Sequence, residues 1–270
     1  MLRVTPTAPL FVVLAIVFAL APGRAALGAS IEEVVDCAVR SLPPAAHGAF
    51  VLRWRSAKGE EREVKGKYWA EQPAEGARKV IVASSGGEAG ARAAYLFSEG
   101  DAVGELWRWT PDQSDARRIV ARGSEGELFG TDLSFEDFAR FARISFPGQL
   151  RRLDDGTVAG RPVYIVETKP PPDSGSEYSR IVTSVDKELC VILRRESYQA
   201  GFAGGERPRK LLSVDPKDVV REKGFARATN ALLQDQQDGS QTRVQLVDLD
   251  LEAKLPQGFF TPENLAETAK

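Results

Sequence analysis

The stretch 126-GELFGTDLSFEDFARF-141 interrupts a chain that is otherwise written in β alternation. A Gly-Thr-Asp opening leads into a short helical pattern in which Phe135, Phe138 and Phe141 fall at i, i+3 and i+6, on a roughly common side. Gly130 permits the turn, and Asp132 or Ser134 can cap a helix over Ser134 to Ala142. Glu136 and Asp137 then sit in its first turn, where their ordinary role is to complement the helix dipole.

Working outward, alternating segments stand on both sides of this insertion. Before it come 49-AFVLRWRS-56, 61-EREVKGKYWA-70, 77-ARKVIVAS-84, 92-RAAYLFSE-99, 104-GELWRWTP-111 and 116-ARRIVA-121. After it come 161-RPVYIVETK-169, 178-YSRIVTSVD-186, 189-LCVILRRESYQ-199, 209-RKLLSVDPKDVV-220, 227-RATNALLQDQ-236 and 241-QTRVQLVDLDL-251. Short loops join many of them, as in an antiparallel meander. Phe50, Leu52 and Trp54 share one face of their strand, as do Trp107 and Trp109, while Arg53, Arg55 and Arg108 project the other way. One face of the sheet is therefore expected to be apolar and aromatic, and a large curved sheet of that kind needs a cover. Ser30 and Glu33 form a capping box for 31-IEEVVDCAVRSL-42, whose Ile31, Val34, Val35, Ala38, Val39 and Leu42 make one apolar face. That helix and the central one are the candidate covers. Each of the five aromatic and aliphatic residues can be plain core. Alternatively, two thin helices leave the broad sheet underfilled, and Phe50, Leu52, Trp54, Trp107 and Trp109 line a cavity for an apolar ligand.

The front of the chain indicates export. Arg3 precedes an apolar run from Leu10 to Ala21 and a small-residue stretch, 22-PGRAALGA-29, the pattern of a secretory signal peptide over residues 1–28. The run is shorter than the ~20 residues of a membrane-spanning helix. Residues 29–270 then read as one β-rich domain, with 170-PPPDSGS-176 as a surface turn rather than a linker. The formal net charge of −2 argues against nucleic-acid binding, and the paired arginines (Arg117 and Arg118, Arg151 and Arg152, Arg194 and Arg195) read as solvated faces.

Chemistry is sparse. With 2 cysteines and 1 histidine there is no CxxC or HxxxH spacing, so no metal site and no cofactor is expected. Cys37 and Cys190 are either one long disulfide or two buried thiols. His47 reads as a loop residue ahead of the first strand. A nucleophile–His arrangement would have to use it, yet no G-x-S-x-G elbow is present. A carboxylate pair drawn from Asp132, Glu136 and Asp137 has nothing that aims it at a cleft. No catalytic residues are assigned, and a non-enzymatic protein is expected.

The succession from Trp107 through Pro111, then 116-ARRI-119, then 130-GTDLSFEDF-138, resembles the W-x-Y-x-P, R-R-I and G-S-D-F-S-Y-E-D-L string of the LolA-like outer-membrane lipoprotein-sorting protein family. The likeness continues through 161-RPVYIVETKP-170, 178-YSRIVTSVDKE-188 and 259-FFTPENL-265, and so covers most of the chain from about Ala49 to Leu265. Trp109 stands where many members have Tyr, Thr131 where Ser is usual, and Leu133 and Phe135 replace Phe and Tyr. These swaps keep size and polarity. The resemblance implies an open antiparallel half-barrel whose concave apolar face is covered by helices, with the segment of Phe135, Phe138 and Phe141 as a lid. It implies a monomeric periplasmic carrier of acylated lipoprotein or lipid cargo, served by an inner-membrane transporter and an outer-membrane receptor. The alternative is an accessory or sensor subunit of a lipid-exporting transporter or envelope-stress system. The buried arginine to lid-carbonyl contacts that close the best-studied carriers are not placed on this sequence.

Overall fold

The computed structural model describes residues 29–73, 77–86, 92–98, 105–119, 127–142 and 148–270, and the signal-peptide assignment of residues 1–28 lies outside them. The chain begins with α1 (Ile31–Arg40) and then runs through β1 (Ala45–Arg55), β2 (Glu61–Glu71), β3 (Lys79–Ser84), β4 (Ala93–Ser98), β5 (Glu105–Trp109) and β6 (Arg117–Ile119). A 3-10 turn (Leu128–Gly130) and α2 (Phe135–Ala142) lead to β7 (Gln149–Val158), β8 (Arg161–Lys169), β9 (Arg180–Asp186), β10 (Ile192–Tyr198) and β11 (Lys210–Ser213). After a hairpin of β12 (Val219–Glu222) and β13 (Phe225–Ala228) come β14 (Asn230–Asp235), β15 (Gln241–Asp250) and a last short α3 (Leu265–Thr268).

Among the described residues, thirteen strands form one antiparallel sheet in the order β6-β5-β4-β3-β2-β1-β15-β14-β11-β10-β9-β8-β7, with β12 and β13 apart from it. Strands β6 and β7 are its two edges, so the sheet is mainly meander and is not closed into a barrel. Three sequence assignments are corrected here. His47 lies inside β1, not in a loop, with its ring stacked on Trp69 at 5.3 Å. Strand β7 adds to the strands expected from sequence, its run of arginines and aspartates masking the alternation. The segments 209–220 and 227–236 each break in two, since the hairpin leaves the sheet between β11 and β14.

Cross-strand register separates the two faces. Trp54, Thr242, Leu233, Leu212, Arg195, Thr183 and Val166 are successive cross-strand partners from β1 to β8, and therefore share one face. His47, Trp69, Ile81, Leu96 and Trp107 are successive partners from β1 to β5, and their odd places in β1 and β2 put them on the other face. Trp107 and Trp109 thus do not share a surface with Phe50 and Leu52. They pack instead with Trp69, Ile81 and Leu96 beneath Phe260, Leu265 and Ala269 of the C-terminal segment. Alternation assigns residues within a strand to a face, but the pairing between strands decides which face it is.

The main core lies on the Phe50 side and joins Leu52, Val82, Tyr95, Phe97, Leu128, Phe129 and Phe135. Gly66 is needed there: a Cβ at that position would come within 2.3 Å of the Phe50 ring and of the Ala83 carbonyl oxygen. The capping box of α1 forms as expected, the Glu33 amide donating to Ser30 Oγ at 3.2 Å and the Ser30 amide to Glu33 Oε2 at 2.7 Å. Val34 and Ala38 then bury against Val166 and Val185. Of the two alternatives for the cysteines the bond is the one found. Cys37 and Cys190 are joined, with Cα atoms 5.2 Å apart and 153 residues between them in sequence. It ties α1 to the turn ahead of β10. Cys37→Ser with Cys190→Ser is expected to lower unfolding stability by about 2–5 kcal/mol, read as a drop in the urea midpoint that reduction of the unaltered protein reproduces.

Candidate ligand cavity and its latch

The central insertion is built around a backbone reversal. Phe129 and Gly130 are both left-handed, at φ 55° and 67°. For phenylalanine this costs roughly 1–2 kcal/mol, so packing must hold it. Its ring lies 5.7 Å from that of Phe50 and 5.2 Å from that of Tyr95. The reversal aims α2 at the sheet, where Phe135 packs on Tyr95 at 5.4 Å and Phe138 on Phe97 at 4.5 Å.

Ser134, rather than Asp132, caps α2. Its hydroxyl accepts from the Asp137 amide at 3.1 Å, while Asp137 Oδ2 accepts from the Ser134 amide at 3.1 Å. Asp132 is instead a buried acceptor for Trp54 Nε1 at 3.2 Å, for Thr242 Oγ1 at 2.7 Å and for Ser240 Oγ. Trp54 therefore clamps the turn, with the Arg62 guanidinium 4.5 Å from its ring centroid, and does not line the cavity beneath α2.

Three residues that the sequence reading did not place at the site complete the closure. Lys210 Nζ, on β11, donates to the Asp132 carbonyl at 2.8 Å and to Asp137 Oδ2 at 2.9 Å. Tyr178 Oη donates to Asp137 Oδ1 at 2.7 Å. Arg195 Nη2, on β10, donates to the Arg140 carbonyl of α2 at 3.0 Å. Arg195, assigned above to a solvated face, is 5 % exposed, and Lys210 is 4 % exposed. Glu136 also exceeds its dipole role, accepting from Arg140 Nε at 2.7 Å, Ser176 Oγ at 2.6 Å and the Glu177 amide at 2.9 Å. Burial by itself would raise the Asp137 carboxyl, but the ammonium of Lys210 and the hydrogen bonds from Lys210 and Tyr178 outweigh it and hold the group below the usual aspartate range. Burial likewise opposes the charge on Lys210, and Asp137 beside it more than restores it. Burial dominates at Arg195, bringing it down to about 10, which leaves it charged at neutral pH.

Between this latch and the sheet lies a cavity of ≈ 170 Å³. Phe50 and Leu52 of β1 and Phe129, Leu133, Phe138 and Phe141 of the insertion line it, with Leu212, Val214 and Leu246 across from them. The structure therefore brings together four of the residues assigned from sequence: Phe50, Leu52, Phe138 and Phe141. Phe135 packs into the core behind the wall, Trp54 belongs to the clamp, and Trp107 and Trp109 are on the opposite face. Among the described residues no group of three or more His, Cys, Asp or Glu side chains could hold a metal.

Removing one member of the buried pair leaves a buried charge without its partner. Lys210→Met is expected to cost about 3–5 kcal/mol, and the double variant with Asp137→Asn to recover part of it, as a double-mutant cycle in urea would show. Because Asp137 is more acidic folded than unfolded, its contribution is complete above the ordinary aspartate pKa of ~3.9 and is lost as pH falls through its folded value. Protection of the α2 amides from exchange, relative to the intrinsic rate at each pH, should therefore hold at pH 5 and fall below about pH 4. Trp109→Ala, on the far face, is expected to lose stability on the order of 3–5 kcal/mol, seen as a lower melting temperature.

Comparison with known proteins gives the following. A family described as uncharacterized protein-like matches residues 80–267. Among curated proteins none matches the sequence. Of solved structures, a DUF1329 family protein from Desulfovibrio piger superposes with a TM-score of 0.74 at 19 % identity, over 87 % of this chain and 98 % of its own. A putative outer membrane lipoprotein-sorting protein domain from Vibrio parahaemolyticus gives 0.73 at 18 %, over 88 % and 97 %. A LolA superfamily protein from Nitrosomonas europaea gives 0.67 at 17 %, over 86 % and 98 %. At these identities the solved structures establish a shared fold. The chain belongs to the family whose model matches residues 80–267, and its fold is shared with the LolA superfamily protein and the lipoprotein-sorting protein domain above.

Proposed function

We propose that this protein is a periplasmic carrier that holds acyl chains of lipoproteins or lipids in the cavity between its sheet and α2 for sorting toward the outer membrane. The observation that carries this is an apolar cavity roofed by Phe138 and Phe141 and closed by a separate polar latch. On this reading α1, whose Val34 and Ala38 pack on Val166 and Val185, and α2, whose Phe135 and Phe138 pack on Tyr95 and Phe97, act as covers of the face that bears Phe50.

The cavity at ≈ 170 Å³ is below the ~300–1,000 Å³ of ordinary ligand pockets. An acyl chain therefore enters only if α2 and its three phenylalanines move off the sheet. Each buried methylene contributes roughly 0.8 kcal/mol, so a sixteen-carbon chain gains on the order of ten kcal/mol. From this the opening of the latch and the ordering of the chain must be subtracted. Transfer onward calls for a receptor offering comparable burial, and loading calls for a membrane partner that presents the chain. The disulfide suits an oxidising compartment, in keeping with export through the N-terminal segment. No catalytic constellation enters this scheme.

Native mass spectrometry of the protein purified from its own periplasm is expected to show co-purified masses of lipids or acylated peptides. A clean apo mass, together with no uptake of the neutral fluorescent probe N-phenyl-1-naphthylamine, would overturn the carrier reading in favour of an accessory or sensor subunit. Phe138→Asp is expected to cut probe uptake at least about tenfold while the sheet signal in circular dichroism persists.

A further inference from the structure

The two ends of the cavity are built differently. Beneath the insertion it is shut by Leu52, Leu128 and Leu133, all of them buried. At the other end the lining comes from Ser41, Leu42 and Pro43 after α1, from Cys190 ahead of β10, and from Ala226 to Ala228 of β13.

One side of that end is a fixed post. The buried Asp186 carboxylate accepts from Arg161 Nε at 2.7 Å and Nη2 at 2.9 Å, and also from the amides of Glu188 at 2.9 Å and Leu189 at 2.7 Å. Cys190, next in the chain, is bonded to Cys37 of α1. The β12–β13 hairpin opposite is held in another way. Lys223 and Gly224, at φ 51° and 86°, make the two-residue turn whose twist matches its strands. Glu222 Oε2 accepts from Arg227 Nη2 at 2.9 Å within it, so the hairpin is one stiff piece. Its base is fastened, the Thr229 amide donating to the Asp218 carbonyl at 2.8 Å and the Leu246 amide to the Thr229 carbonyl at 2.9 Å.

The hairpin tip, by contrast, is held at the surface. Every residue from 219 to 228 is exposed or half-buried. Arg221 Nη2 meets Glu188 Oε1 of the fixed turn at 2.8 Å, and Lys223 Nζ meets Glu252 Oε2 beyond β15 at 2.5 Å. All four side chains are at least 42 % exposed. Ion pairs so exposed contribute little, and salt weakens them further. The Ala226 and Ala228 side chains that line the cavity are small, so lifting the tip uncovers little apolar area.

We infer that the β12–β13 hairpin is the gate of the cavity. It swings about its base at Thr229, away from the fixed turn, and an acyl chain passes beneath its tip into the room that α2 yields. This rests on the carrier reading and names the route by which the same cavity is loaded and emptied. The Arg221–Glu188 and Lys223–Glu252 pairs are the clasps of the gate.

The test is stopped-flow uptake and release of N-phenyl-1-naphthylamine. Lys223→Glu, which turns one clasp into a repulsion, is expected to raise the association and dissociation rates together, by roughly two- to fivefold, and to change the affinity less than either rate. Adding Glu252→Lys re-forms the pair in reverse and should bring both rates back. In a variant carrying Lys223→Cys and Glu252→Cys, a short bismaleimide that bridges the two thiols should slow uptake about tenfold or more against the unbridged sample. Bridged and unbridged samples are the same chain, so this arm reports whether or not Lys223→Glu folds. Unchanged uptake in the bridged protein, or rates that do not respond to Lys223→Glu and its reversal, overturn the inference and leave the carrier reading standing. No probe uptake by the unaltered protein overturns both.

Discussion

The closure of this molecule depends on one buried cation. The Lys210 ammonium meets the Asp137 carboxylate at 2.9 Å and the Asp132 carbonyl at 2.8 Å. It thereby fastens both the turn ahead of α2 and the first turn of α2 itself. Burying either charge alone would be prohibitive, and together, with Tyr178 Oη and the Ser134 amide also donating to the carboxylate, they are tolerated. Arg195 adds a hydrogen bond to the end of α2, on the carbonyl of Arg140. The helix is therefore pinned at both ends by sheet residues, and its three phenylalanines are placed by polar contacts rather than by apolar packing alone.

The sheet is apolar on both sides along part of its width, which explains how two aromatic sets can be conflated. The β1 set faces the insertion, and the β5 set faces the C-terminal segment through Phe260 and Leu265. Burial of the far face stiffens β2 to β5 as a wall, and Arg92 Nε donating to the Ala269 carbonyl at 2.7 Å helps hold the C-terminal cover in place. On the other half the Cys37–Cys190 bond anchors α1. An open sheet of thirteen strands would otherwise be free to flex, and these two attachments restrain it on either side of the cavity while α2 and the hairpin stand over the space between.

Several features were legible from residues alone. The β alternation, the Ser30–Glu33 box, the reversal at Gly130 and the one-sided spacing of Phe135, Phe138 and Phe141 all arise within a few residues of one another, where steric and hydrogen-bonding rules act without tertiary context. The ordered motif string carried the family fold. Strand β7 was lost because its outward residues are charged on both parities, and His47 was misplaced because Pro43, Pro44 and Gly48 look like loop punctuation while β1 starts between them.

What the sequence by itself determined is the type of each element, its apolar side and the class of fold. The tertiary structure decided which strands pair, and so which of two apolar sides faces the cavity. A period of two orders residues within a strand but is silent between strands, and this is why Trp107 and Trp109 could be placed only by their partners Leu96 and Ala94. It decided also which charges are buried. Lys210 meets Asp137 across 73 residues of chain and Arg195 meets Arg140 across 55, so nothing near either cation in the sequence marks it as different from a solvated one. Burial of a charge is settled by a partner that only the fold brings within hydrogen-bonding distance.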